Sequence, residues 1–315
     1  MDKRRTALIA AIAVSVIWGL SFLSTKVALA ALPPMSIAAA RFVVAVVALI
    51  FVVFLSRENL RFSFRDLPRM AASGLLGVSF YFLCENNGIA LLTASESSLV
   101  IATIPVLTML VDRLVLKTRL KARSYIGACL SFAGVAIIVA PSFGGGASLR
   151  GGSSSPAGFL CMGGAALCWV AYALLTKPLS SKYSGLSITF WQSLFGLVGC
   201  LPFAIAESPP LHALSVMVAL NLLYLGLVCS AAGYLLYIVA MGSLGAGTTS
   251  VFLNLVPVVS VVAAYFLLGE RLGGFTLAGG AIAVAGVYLA TSTGKSSADT
   301  GAGAEEGSSK SGGPE

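Results

Sequence analysis

Charge is what this chain has least of: Asp, Glu, Lys and Arg together make up 10% of its residues. A water-soluble domain carries about 25%, so a surface this poor in charge is one that meets lipid. Histidine is nearly absent as well. The single one, His212, lies beside two prolines in SPPLHAL, there is no HExxH, and no two carboxylates stand four apart within an apolar run. The nucleophile–base pair or metal site of an intramembrane enzyme is therefore missing, and neither a metal nor any other cofactor is expected. No GxxxxGK[ST] pattern occurs, which excludes direct use of ATP. The six cysteines (84, 129, 161, 168, 200 and 229) show no metal-ligand spacing and all fall in apolar runs. They read as small packing residues. No acidic residue is expected near mid-depth of a run, which argues against strong proton coupling.

What the chain does have is long apolar segments. With 57% hydrophobic residues, it offers ten runs near the roughly 20 residues that span about 30 Å of hydrocarbon. They lie near 7–30, 35–55, 68–91, 95–116, 123–141, 157–177, 185–205, 214–241, 246–268 and 275–292. The runs are continuous rather than alternating, so they predict helices and not barrel strands. The first has a basic start but is longer than the 7–15 apolar residues of a signal peptide. The net charge of +8 would suggest nucleic acid on a soluble protein. Here its distribution decides otherwise. With ten spans and a cytoplasmic N-terminus, 15 of the 20 Lys and Arg fall on the inner side, two (Arg150 and Arg271) on the outer, and Lys26, Arg41 and Arg113 within spans. This positive-inside bias puts both termini in the cytoplasm of a multi-pass protein of the bacterial inner (plasma) membrane. It leaves the bilayer, and no nucleic acid, as partner.

The second feature is a repeat. Pro105 recurs as Pro257 after 152 residues, Ser98 as Ser250 and Arg119-Leu120 as Arg271-Leu272. Trp18 and Lys26 match Trp169 and Lys177, and Ser36-Ile37 match Ser187-Ile188, at 151. Gly74, Gly127 and Gly134 match Gly226, Gly279 and Gly286 at 152. One register held over the membrane region indicates duplication. Each copy holds five spans, an odd number, so the second enters the membrane inverted. That arrangement is a recurring transporter design built for alternating access. The predicted organisation is a cytoplasmic N-terminus (1–6), a first five-helix repeat (7–141), a flexible periplasmic linker (142–156), a second five-helix repeat (157–292) and a disordered cytoplasmic tail (293–315). The fold class is all-α polytopic. Between spans two and three, SRENLRFSFRDLPR reads as a positive inner loop or an interfacial turn on anionic lipid. Asp66 is its expected N-cap for span three, with Pro68 in the first turn.

Ten spans in two copies, an early Trp18-Gly19, and a ninth span that runs through its central proline into Gly269-Glu270-Arg271 resemble the EamA-type transporters of the drug/metabolite transporter superfamily. The first copy departs from this, with Lys117-Thr118-Arg119 at the equivalent helix end. The length and the aromatic middle are most similar to the bacterial aromatic amino-acid exporters. The resemblance implies a secondary carrier that exports small amphipathic metabolites, aromatic and neutral amino acids foremost. The alternatives are drug or other metabolite efflux, or a channel-like permease. A monomer or a homodimer both fit.

Candidate residues follow from depth and chemistry. Trp18 and Trp169 sit at mid-span in equivalent positions, where tryptophan is unusual. They line a shared cavity or pack as bulky neighbours. Tyr172 shares the face of Trp169. Tyr81, Phe82 and Asn86 of span three, with Tyr234 of span eight, offer rings and an amide to an amphipathic solute; the alternative is an aromatic core stripe. Pro105 and Pro257 free the carbonyls of Ile101 and Leu253, with Thr103 and Asn254 as nearby polar partners, and mark a kinked helix pair suited to gating. Lys26, Glu85 and Glu96 fall toward the outer boundary, where Lys26 pairs with either glutamate in an outer gate, or a carboxylate takes up a proton.

Overall fold

In the computed structural model, residues 3–115, 122–143, 155–209, 214–244, 249, 252–270 and 273–291 are described. They form ten helical elements: α1 (Lys3–Leu29), α2 (Pro34–Ser56), α3 (Leu67–Leu91), α4 in two pieces (Ala94–Ile101 and Ile104–Val115), α5 (Ala122–Phe143), α6 (Pro156–Thr176), α7 (Gly185–Ala206), α8 (Val216–Leu244), α9 (Leu255–Leu267) and α10 (Gly274–Thr291). Among the described residues, seven helices are long and apolar enough to cross a bilayer, and the apolar parts of α5, α9 and α10 are shorter. The exposed faces are apolar too. On α2, Val43, Val47, Phe51 and Phe54 form one helical stripe, 45 to 78% exposed. Water would not stabilise that stripe, and lipid does. This is an all-α polytopic membrane protein.

The ends differ a little from expectation. α1 begins at Lys3, so the basic head from residue 3 belongs to the helix. α5 runs on to Phe143, into the expected linker. Residues 144–154 of that linker, the tail beyond 291, His212, Ser250, Arg271 and Lys117-Thr118-Arg119 lie outside the described residues; Ser155 and Pro156 open α6.

Packing is mostly between the two halves. α5 lies along α10, α2 along α7, α1 against α8 and α9, and α6 against α3 and α4. Exchanging the halves maps these pairs onto one another, the pattern a two-fold relation produces. The α5–α10 seam is the tightest. A Cβ on Gly127, Gly134, Gly279 or Gly286 would collide with backbone atoms of the facing helix, so glycine there sets the interhelical distance.

Both α3 and α8 carry a π-helical stretch, Leu75–Phe80 and Tyr224–Ala232, in matching positions of the repeat. Such wide turns leave carbonyls unpaired within the helix. Trp18 Nε1–H takes one, donating to the Cys229 carbonyl at 3.0 Å. Both proline helices break just ahead of the ring. α4 is interrupted at Ala102–Thr103, and α9 follows a turn at Leu253–Asn254. The Leu253 carbonyl accepts the Val256 N–H at 3.0 Å, and the Phe252 carbonyl accepts the Ser15 hydroxyl at 2.8 Å. The kink is thus satisfied within the bundle, without Asn254.

Candidate functional site

A cavity opens where α1, α2, α3, α4, α6, α8 and the turn before α9 converge. Trp18, Phe22, Tyr81, Phe82, Trp169 and Tyr234 supply most of its wall, closed by Ile101, Pro105 and Leu253 at the helix breaks. The rings pack edge to face. Trp18 and Trp169 lie 5.1 Å apart between centroids, Trp18 and Tyr234 5.7 Å, and Tyr81 and Trp169 5.3 Å. Such pairs contribute about 0.5–1.5 kcal/mol each beyond their burial. Tyr234 is anchored across the halves, its hydroxyl donating to the Gly77 carbonyl at 2.9 Å. The cavity measures about 40 Å³. That is room for a few waters, well below the roughly 300 Å³ of a small-molecule pocket, so solute entry needs the rings to part.

Two charged side chains reach this wall. Arg41, 2% exposed, donates from Nε to the Ser230 hydroxyl at 2.9 Å, and its guanidinium lies 4.3 Å from the centre of the Phe82 ring. Glu85 accepts the Tyr81 hydroxyl at 2.6 Å through Oε1. The two charges are within electrostatic range of each other. Among the described residues, however, the ion pair is Lys182–Asp66, not these.

At the bundle end holding the α1–α2 and α3–α4 turns, carboxylates of the second half cap helices of the first. Glu207, just past α7, accepts the N–H groups of Met35 and Ser36 at 3.0 and 2.7 Å and the Ser36 hydroxyl at 2.9 Å. Glu270, just past α9, does the same for Ala94 and Ser95, at 2.9 and 3.2 Å to nitrogen and 2.7 Å to the hydroxyl. Each carboxylate meets free N–H donors and the positive end of a helix dipole. At the other end, Asp66 accepts from Lys182 and from the Tyr183 hydroxyl, the latter at 2.8 Å, and the Ser184 hydroxyl donates to Glu58 at 2.6 Å.

Comparison with known proteins agrees with this architecture. The EamA-like transporter family matches residues 5–140 and again residues 156–292. This chain belongs to that family. Among relatives of the EamA-like chain, an uncharacterized transporter of Archaeoglobus fulgidus is 28% identical over 86% of this chain and 94% of that protein. A probable amino-acid metabolite efflux pump of Salmonella typhimurium is 28% identical over 89% and 92%. A probable terminal-alkyne amino-acid exporter of Streptantibioticus cattleyicolor is 31% identical over 71% and 73%. One crystal structure superposes with a TM-score of 0.67, covering 91% of this chain and 98% of the other at 17% identity; that likeness shows the fold. The EamA-like chain is a membrane transporter and not an enzyme.

Of the residues expected at the site, the cavity gathers Trp18, Tyr81, Phe82, Trp169, Tyr234, Pro105 and Glu85. The others stand behind it. Tyr172 is fully buried against Trp169, 5.0 Å between ring centres, and fills the space that Gly77 leaves. Asn86 donates to the Pro34 carbonyl at 2.8 Å, tying α3 to the start of α2. Thr103 bonds its own helix, to the Val100 carbonyl at 2.7 Å. Asn254 and Pro257 are absent from the lining, although their neighbours Leu253 and Val256 are in it.

Lys26 has Glu270 and Glu96 within electrostatic range and makes its hydrogen bonds with backbone. Lys26 donates to the carbonyls of Ile89 and Leu92 at 2.7 and 2.6 Å, since the last turn of α3 offers unpaired acceptors at the negative end of its dipole. Glu96 forms a capping box with Thr93 at the start of α4. Asp66 does not cap α3 with its side chain because Lys182 and Tyr183 occupy it; Pro68 does open the helix. Glu85, expected toward the outer boundary, belongs to the cavity wall. Arg41 was missed as a site residue. The sequence signal is an arginine inside an apolar run.

Proposed function

We propose that this EamA-like protein is a secondary carrier that exports small amphipathic metabolites, aromatic and neutral amino acids foremost, by alternating access between its two halves. One observation carries the reading. The meeting point of the halves is a narrow aromatic cavity with two buried charges. Rings suit the apolar part of such a solute, and the charges suit its polar end. The amino-acid names of two relatives from different organisms support the same class. The basic residues favour cytoplasmic termini, which puts the Glu207 and Glu270 caps on the outer side and makes the present conformation one sealed outward.

The test is transport in proteoliposomes. Labelled phenylalanine, tryptophan, leucine and an organic cation are offered with and without a pH gradient, followed by counterflow. Saturable, counterflow-competent movement of the amino acids is expected. Movement of the cation alone would instead make the protein a drug efflux carrier, and unsaturable flux without counterflow would make it a channel-like permease.

A further inference from the structure

Arg41 is a buried cation with spare donors. Its Nε–H is spent on Ser230. Among the described residues no carboxylate pairs with it, and no acceptor takes the hydrogens of its terminal amino groups. A charge held in the membrane interior this way is costly unless something uses it. The Phe82 ring beneath it and the Ser230 hydroxyl beside it fix the plane of the guanidinium. The two terminal amino groups, the fork that matches a carboxylate, are left without a described acceptor on a residue that lines the cavity. Glu85 is built the same way with opposite sign. Tyr81 holds Oε1 at 2.6 Å, Oε2 has no described donor, and the carboxylate lies on the same cavity wall. Both groups line the same cavity, together with Trp18 and Trp169.

We propose that Arg41 and Glu85 are the two poles of a zwitterion site. Arg41 receives the α-carboxylate and Glu85 the α-ammonium of an amino acid whose side chain lies among the rings. The inference rests on the amino-acid reading above and adds to it a reason for choosing zwitterions over plain amines or acids. A purely structural role for the pair, each charge steadying the other across the gap, predicts no such choice.

The test compares binding of three labelled probes to the purified full-length protein: L-phenylalanine, phenethylamine, which lacks the carboxylate, and 3-phenylpropionate, which lacks the ammonium. Wild type is expected to bind phenylalanine at least tenfold more tightly than either analogue. Arg41→Gln should lose tenfold or more for phenylalanine and phenylpropionate, with phenethylamine within twofold of wild type. Glu85→Gln should give the mirror result. Arg41→Lys, which keeps the charge without the fork, should recover part of the loss and serves if Arg41→Gln fails to fold. Equal affinity of wild type for all three probes, or an equal loss of all three in a folded Arg41 variant, would overturn the zwitterion site and leave the amino-acid reading standing. Wild type that binds tetraphenylphosphonium and none of the three would remove both.

Discussion

Glu270 accepts the hydroxyl of Ser95 at 2.7 Å, so the end of α9 in one half is fastened to the start of α4 in the other. Glu207 and Ser36 repeat the relation between α7 and α2 at 2.9 Å. Each carboxylate takes three hydrogen bonds, and bonds to a charged group are worth about 1.5–3 kcal/mol apiece. Among the described residues, the opposite end shows one counterpart of these caps, the Glu58–Ser184 bond. The position equivalent to Glu270 is Thr118, which carries no carboxylate. The departure of the first repeat from the Gly-Glu-Arg pattern thus leaves a neutral hydroxyl in the sequence where the second repeat has a carboxylate.

Neutralising both caps should therefore open the sealed end. In a cysteine-free background with Ser21→Cys on the cavity wall, adding Glu207→Gln and Glu270→Gln should raise labelling by a membrane-impermeant thiol reagent several-fold from outside. Unchanged labelling would show that the seal lies elsewhere.

Trp18→Ala and Trp169→Ala should each lower transport tenfold or more. Truncating a packed tryptophan also costs about 3–5 kcal/mol of stability, so Trp18→Phe is the companion variant. It keeps a ring and loses the bond to the Cys229 carbonyl, and should retain the fold with a smaller loss of flux. Unaltered flux in both alanine variants, measured on protein that elutes as a single species, would remove the tryptophans from the solute path.

Pro257→Ala should change how fast the protein turns over and not what it carries, because Pro257 stands off the cavity while the break before it lines the wall. Rapid-mixing transport across a solute panel checks this. A shift in preference with unchanged rate would contradict it.

Gly134→Ala should lower thermal stability in detergent, since its Cβ would meet backbone of α10 that cannot step aside. A cost of about 1–3 kcal/mol is expected for such overpacking. The helix-favouring effect of alanine, up to about 1 kcal/mol, works the other way and sets the lower bound. A stabilised variant would mean that α5 and α10 separate easily.

Helix number, repeat and aromatic centre were legible because each leaves a periodic trace in one dimension: apolar run length, a constant offset of 151 or 152 and tryptophans at mid-run. The partners of the charged residues were not. Lys26 chose two carbonyls at a helix end, and a carbonyl is present at every residue, so composition cannot single one out. The sequence marks Glu270 only as part of a helix-end Gly-Glu-Arg and does not mark Glu207 at all; their role depends on which N-termini the other half brings beside them. Arg41 showed its charge but not its direction, which depends on the contact of α2 with Phe82 and Ser230. The π-helical turns of α3 and α8 left no sequence mark that pattern reasoning reads.

Those two turns hold slack. A wide turn contains one residue more than its neighbours need, and drawing that residue back into regular winding would swivel the helix beyond it by about 100°. In α3 the part beyond is Tyr81 to Glu85, and in α8 it is Tyr234 and Tyr237. The parts beyond the two wide turns thus carry half of the aromatic wall and one of its two charges.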